Sequence, residues 1–281
     1  MPSSFRQIAR SLLPPPLHRM LACTVHRWGG GATVFTGNYA SWRQAANAAN
    51  GYDDARILER ARAAMRRVKA DGACFERDSI ILPSPEYSFP ALAAILRVAG
   101  ESGGKLDVVD FGGALGSSYF QFRRFLHHVR PLRWAVVEQA HYVQCGRAEF
   151  GDDELSFHST IQQAVSNRRR QLFLASSVLQ YLPDPACFID QLLEARFDYI
   201  LLDRTAFHTG LKDRLSLQRN PDSLDRVSYP AWFFNEKSFL ERFHGTYELV
   251  FDFDGRDQVL LAGGQPYYRG YLMRHTATSR T

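Results

Sequence analysis

Between residues 106 and 203 the chain alternates short apolar runs with longer stretches of helical character, and this pattern limits the fold more than any other feature. The runs fall at 106–111, 133–138, 154–158, 171–176 and 198–203, and the helical stretches between them at 117–129, 140–148, 160–168 and 184–196. Strands joined through helices of this length lie parallel, so the repeat predicts an α/β fold with a mostly parallel sheet covered on both faces. Two later segments, 247–253 and 267–274, are β-rich with no clear helix between them, and read as an antiparallel pair finishing the sheet. Upstream, Ser88 precedes a helix with Pro90 in its first turn, where a missing N–H costs little. Ser41 is placed to cap a helix over 42–49, and Asp53 or Asp54 opens another with Ile57, Ala61, Met65 and Val68 on one face. These divisions predict a Pro/Arg-rich basic arm over 1–31, a helical cap region over 32–79 and one larger domain over 80–281.

Several classes are excluded by composition. With 45% apolar and 22% charged residues the chain has enough core to fold, which excludes disorder. No run approaches the roughly 18 apolar residues of a membrane span. LLPPPLHRML is broken by Pro14, Pro15, Pro16, His18 and Arg19, too interrupted for a secretory signal. Cys23, Cys74, Cys145 and Cys187 form no CxxC pair, so neither a zinc site nor a disulfide framework is expected and a cytoplasmic setting is. Residues 1–52 hold Arg6, Arg10, Arg19, Arg27 and Arg43 and no acid, which accounts for the whole net charge of +5. A neutral main body argues against a nucleic-acid groove. Two readings of the arm stay open: contact with an anionic membrane surface or acidic partner, or a packed arm with solvated arginines.

The strongest local signal is Asp110-Phe111-Gly112-Gly113-Ala114-Leu115-Gly116, a glycine-rich turn between a predicted strand and a predicted helix. Such a turn lets a nucleotide-like ligand approach the backbone. The GxxxxGK[ST] loop of nucleotide hydrolases is absent, and Ala114 stands where a GxGxxG dinucleotide turn has its second glycine. S-adenosylmethionine (SAM) fits better, because it carries an ammonium, a sulfonium and a ribose diol but no phosphate. Asp110 at the first strand end suits the cationic portion, and Glu138 at the second suits the diol.

FTGNYASWRQAANAANGYDDARILERA (35–61), VVDFGGALGSSYFQ (108–121), WAVVEQAHYVQCG (134–146) and LLDRTAF (201–207) resemble a poorly characterised bacterial branch of the class I SAM-dependent methyltransferases. That branch is often associated with surface-polysaccharide or O-antigen gene clusters. The resemblance implies a Rossmann-like fold with a seven-stranded, mostly parallel sheet and an N-terminal helical extension. It places Asp110, Gly112, Gly113, Gly116 and Glu138 around SAM, with Tyr119 or Gln139 beside the pocket, and supplies no acceptor.

In an open parallel sheet the acceptor belongs beyond the later strand ends. Ser159 follows the third strand, where it could meet the adenine edge or cap the next helix. Ser176 and Tyr181 follow the fourth, in a turn (VLQYLPDP) unlike the Pro-Pro clamp of enzymes that methylate planar amines. Oxygen or carbon acceptors, a sugar among them, are therefore favoured. After the fifth strand, His208 and Asp203 are the candidates to take a proton, with Arg204 to hold an anionic group. Segment 209–234 shows no convincing helix or strand and reads as a lid or a disordered loop, whose Tyr229, Trp232, Phe233 and Phe234 either wall a pocket or pack the core. Tyr39 and Trp42 are expected to cover the site. Asp252-Phe253-Asp254 reads as a turn opener rather than a metal motif. His127-His128, adjacent on a predicted helix, cannot share a metal, and none is expected. The function expected is O-methyl transfer to a small hydroxylated acceptor, with a catalytically silent binding module or a nicotinamide-dependent oxidoreductase as alternatives.

Overall fold

The computed structural model describes residues 33–49, 54–70, 75–77, 80–82, 86–166, 170–219, 228–255 and 259–277. The expected arm over 1–31 lies outside them, as do Asp53, Cys23, Cys74 and part of the expected lid.

Five strands form the parallel heart of the sheet: β4 (Leu106–Phe111), β5 (Leu132–Val137), β6 (Leu155–His158), β7 (Leu172–Ser176) and β8 (Tyr199–His208). They lie in the order β6-β5-β4-β7-β8. β13 (Pro266–His275) runs antiparallel along β8, and β11 (Tyr247–Asp254) antiparallel along β13. This order, with its reversed penultimate strand, is the Rossmann-like class I methyltransferase fold, and the late antiparallel pair is where the sequence put it.

Strand residues alternate between two buried layers. Val108, Trp134, Val136, Leu172 and Leu201 pack with α2 (Asp54–Ala70), α3 (Phe89–Glu101), α4 (Ser117–Phe122) and α5 (Ala140–Glu149). Val109, Ala135, Phe173 and Ile200 pack with α6 (Ile161–Val165), α7 (Pro185–Ala195) and α8 (Glu236–Glu241). Ala61, Met65 and Val68 bury the predicted face of α2. Local chemistry sets the helix starts: Asp184 accepts from Cys187 N with Pro185 in the first turn of α7, and Asn235 accepts from Ser238 N to open α8.

Three expectations are corrected. The helix over 117–129 stops at Phe122 with a 3-10 turn to Phe125, so His127 and His128 sit in a turn, not on a helix. Four aromatics in nine residues weaken helix propensity there, and Pro131 disfavours it just beyond. The fifth strand does not end at Asp203 but continues to His208, because β10 (Ser228–Asn235) pairs with its far end through Phe234↔Phe207 and Asn235↔His208. The expected lid is in fact a hairpin of β9 (Arg214–Arg219) and β10, extended by β1 (Val34–Thr36) and β12 (Leu260–Leu261) into one 11-stranded sheet. Phe233 and Phe234 are buried core there, while the Trp232 indole donates to Leu182 O at 3.1 Å.

Ser41 caps α1 (Trp42–Ala48) as expected, accepting from Gln44 N. Tyr39 and Trp42 pack around Ala45, Leu215 and Leu217, on β9 rather than over the glycine turn. β2 (Phe75–Arg77) and β3 (Ile80–Leu82) form a separate hairpin. Asp252 lies within β11 and is ion-paired with Arg269, and the strand ends at Asp254, just before Gly255. Among the described residues no helix is long and apolar enough to cross a membrane, and no cluster of His, Cys, Asp and Glu could hold a metal ion.

Candidate functional site

The carboxyl tip of β4 carries the glycine turn. Asp110 is 1% exposed, and its Oδ2 accepts the Trp134 indole N–H at 3.0 Å from β5. The chain then passes Gly112 at φ 71° and Ala114 at φ 50° before Gly116, at φ 94°, leads into α4. Packing excludes side chains at two of these positions. A Cβ at Gly112 would lie 2.5 Å from Val178 Cγ2, and one at Gly113 would lie 2.6 Å from the Asp110 carboxyl carbon. Ala114 holds the left-handed conformation at a cost of roughly 1 kcal/mol.

Glu138 follows β5, beside the β4 tip. Its Oε2 accepts Gln139 N at 2.8 Å and its Oε1 accepts Ala114 N at 3.3 Å, so the carboxylate folds back onto the turn. The two acids therefore meet the bend from adjacent strands. Burial pushes the Asp110 carboxyl up to about 7; the Trp134 bond pulls it down and the charge on Glu138 adds to the rise. Burial also raises Glu138, opposed by the two backbone N–H groups and by His141.

This donor set fits a ligand that carries positive charge and hydroxyl groups. A phosphate would bring its charge against two carboxylates. Glu138 uses two of its roughly four lone-pair positions, leaving acceptors for a diol. Gln139 is exposed at the start of α5, at the same tip.

A second polar group lies where the tip of β7 meets the middle of β8, with Ser176 paired to Asp203, and β8 runs about 10 Å across the sheet from β4. Asp203 is 6% exposed, and both its carboxylate oxygens accept hydroxyl groups: Ser176 Oγ donates to Oδ2 at 2.8 Å and Ser88 Oγ to Oδ1 at 3.4 Å. Arg204 Nε is 3.9 Å from Asp203 Oδ2 and donates to Ser176 Oγ at 3.4 Å. Ser88 stands at the N-cap of α3 yet makes no capping bond, forgoing about 1 kcal/mol. Ser177 and Arg204 are both left-handed, at φ 57° and 51°, and Ser177 N donates to Asp203 O at 2.9 Å. Such strain persists only where the surroundings fix it, and it clusters at functional sites.

Four expected site residues stand elsewhere. Tyr119 is 1% exposed in the core and its hydroxyl bonds Glu154, which precedes β6 at the opposite end of the sheet. His208 lies roughly 16 Å of extended strand beyond Asp203. Its Nδ1 accepts Gly210 N at 3.2 Å and its Nε2 donates to Lys212 O at 2.8 Å, so both ring nitrogens serve their own loop. Tyr181 donates to Gln218 of β9 at 2.7 Å and packs edge-on to Tyr229, joining the β7 loop to the added strands. The Ser176 hydroxyl serves Asp203 rather than the glycine turn. Ser159 is exposed at the β6 tip, and Thr160, not Ser159, caps α6 by accepting Gln163 N at 3.2 Å. Sequence reasoning missed Trp134 and Val178 and took Ser88 only as a helix start; no local signal ties Ser88 to Asp203.

Strand order and paired acids together define a Rossmann-like protein of methyltransferase architecture. No protein-family model matches the chain, and no curated protein matches it. Among solved structures it is similar to the N-terminal domain of EvdMO1 in the presence of SAH and D-fucose, at 14% identity, over 80% of this chain and 97% of that one, with a TM-score of 0.47. It is also similar to the glycopeptide N-methyltransferase MtfA complexed with SAM, at 10% identity, over 68% and 88%, with a TM-score of 0.45. Magnesium protoporphyrin IX methyltransferase (ChlM) from Synechocystis PCC 6803 with bound SAH matches at 11% identity, over 67% and 83%, with a TM-score of 0.43.

Proposed function

We propose that the chain is an O-methyltransferase, moving a methyl group from SAM to a small hydroxylated acceptor such as a sugar or surface-polysaccharide precursor, in the cytoplasm. The observation that carries this reading is the pair of acids, Asp110 and Glu138, converging on the Gly112–Gly116 bend from adjacent parallel strands. When bound, SAM supplies an electrophilic methyl group on a sulfonium. Glu138 would hold the ribose diol, and Asp110 would balance positive charge from beneath Gly113. Asp203 is the candidate to orient the acceptor hydroxyl and take its proton, since Ser88 and Ser176 fix both its oxygens. Arg204 beside it would hold an anionic group on the acceptor. This reading leaves out His208, bonded within its own loop, and Tyr181, bonded to β9. Residues 80–281 would form the transferase unit and 32–79 its flank, with membrane contact through the basic arm as a separate proposal.

Titration calorimetry tests the donor. Wild type is expected to bind both SAM and its demethylated product, and Glu138→Ala to bind them tenfold or more weakly, the usual loss for hydrogen bonds to a charged group. Equal binding by the variant would remove Glu138 from the site, and no binding by wild type would end the assignment. Labelled SAM supplied to a metabolite extract then identifies the acceptor. Donor binding without transfer to any metabolite would favour the silent-module alternative, and an NADH titration tests the oxidoreductase one.

A further inference from the structure

A cavity of about 600 Å³ lies between α2, the β2–β3 hairpin and α4, on residues the proposed transfer does not use. Its buried end is polar: Glu76, 5% exposed, accepts Ser117 Oγ at 2.7 Å, and Gln121 Nε2 donates to Glu76 O at 2.9 Å. Val68, Phe75 and Phe120 give it apolar walls. Its outer end carries the exposed Arg123 and Arg124. Neither guanidinium meets a carboxylate among the described residues; aromatic rings hold both instead. Arg123 lies 5.4 Å from the Tyr119 centroid and 5.7 Å from that of Phe120. Arg124 lies 5.6 Å from the Phe125 centroid and donates to the Tyr87 hydroxyl at 2.9 Å. Stacking orients a guanidinium while leaving its N–H edge for an anion.

We propose that this cavity binds an amphipathic organic anion: its carboxylate or phosphate on Arg123 and Arg124, its apolar or aromatic body between Phe75 and Phe120, and a hydroxyl or ammonium facing Glu76. Each end excludes a simpler ligand. A bare inorganic anion leaves the apolar walls unused, and a hydrocarbon leaves the two arginines without an anion. A neutral sugar gains nothing from two unneutralised arginines. Because both arginines are exposed, they can be replaced without disturbing the core.

4-Hydroxyphenylacetate serves as the calorimetric probe, with phenylacetate and inorganic phosphate as controls. The expected result is saturable binding of the probe, with phenylacetate roughly fivefold weaker for want of the donor to Glu76 and phosphate weaker still. Arg123→Gln/Arg124→Gln is expected to weaken the probe by about tenfold or more, as loss of charge-assisted bonds does. The same variant should bind SAM as wild type does, which keeps this test apart from the donor assignment. Failure of the probe to saturate, equal affinity in the arginine variant, or phosphate binding as tightly as the probe would each overturn the proposal.

Discussion

Gly113→Ala is expected to cost the fold about 3 kcal/mol and to abolish SAM binding, through one displaced carboxyl group. The new methyl carbon would stand 2.6 Å from Asp110 Cγ and Oδ2. A long surface side chain could swing away from such a contact. Asp110 cannot, being short, buried and tied to Trp134. Moving it breaks that bond and forces the chain off the path that brings Ala114 N to Glu138. Gly100→Ala is the matched control: nothing lies within 4 Å of its added carbon, and within α3 it is expected to be neutral or to stabilise by up to about 1 kcal/mol. Guanidinium denaturation and SAM calorimetry on both variants make the comparison. If Gly113→Ala matches wild type in both, the turn does not rest on Asp110 as described.

The second large effect is a pH dependence set by the same carboxyl. Burial holds Asp110 at about 7 in the folded protein, against 3.8 for the free group. Between those values the unfolded chain has lost the proton while the folded chain keeps it. Stability contributed by this group therefore falls as pH rises from about 4 to about 7, and levels off above. At about 1.4 kcal/mol per pH unit, the gap amounts to a few kcal/mol by pH 8. Asp110→Asn keeps an oxygen for Trp134 and removes the titration. Its denaturation free energy is expected to change less than that of wild type between pH 5 and pH 8, and to exceed wild type at pH 8. Parallel profiles would mean that Asp110 does not titrate in this range. A cation seated beside Asp110 favours the ionised form, so SAM binding near pH 7 should release protons, detectable as calorimetric heats that depend on the buffer.

The central sheet was legible because its signals are local: each apolar run is long enough to read, and Ser41, Pro90 and Asp184 mark helix starts within a few residues of themselves. The acids were legible for the same reason, each standing at the end of its own run. The added strands were not. β1 spans three residues and β12 two, too short for a period to show. β10 carries Pro230 within an aromatic run, and the partners that make it a strand lie on β8 and β9. His208 and Tyr119 were misplaced because residue type suggests chemistry, whereas use depends on partners. Those partners were a loop's own backbone in one case and Glu154 in the other. The diversion of Ser88 from its helix to Asp203 spans 115 positions and leaves no trace in either neighbourhood.

β1 lies between β9 and β12, pairing Val34 with both Arg219 and Leu260. Its partners are thus translated long after it is, and an emerging chain must carry Phe35, 1% exposed in the finished protein, without them. Ordering so distant a contact comes late and raises the barrier to folding. The central strands can assemble while this outer border is still open, and for that interval the far end of β8 is an edge on which another nascent copy could pair.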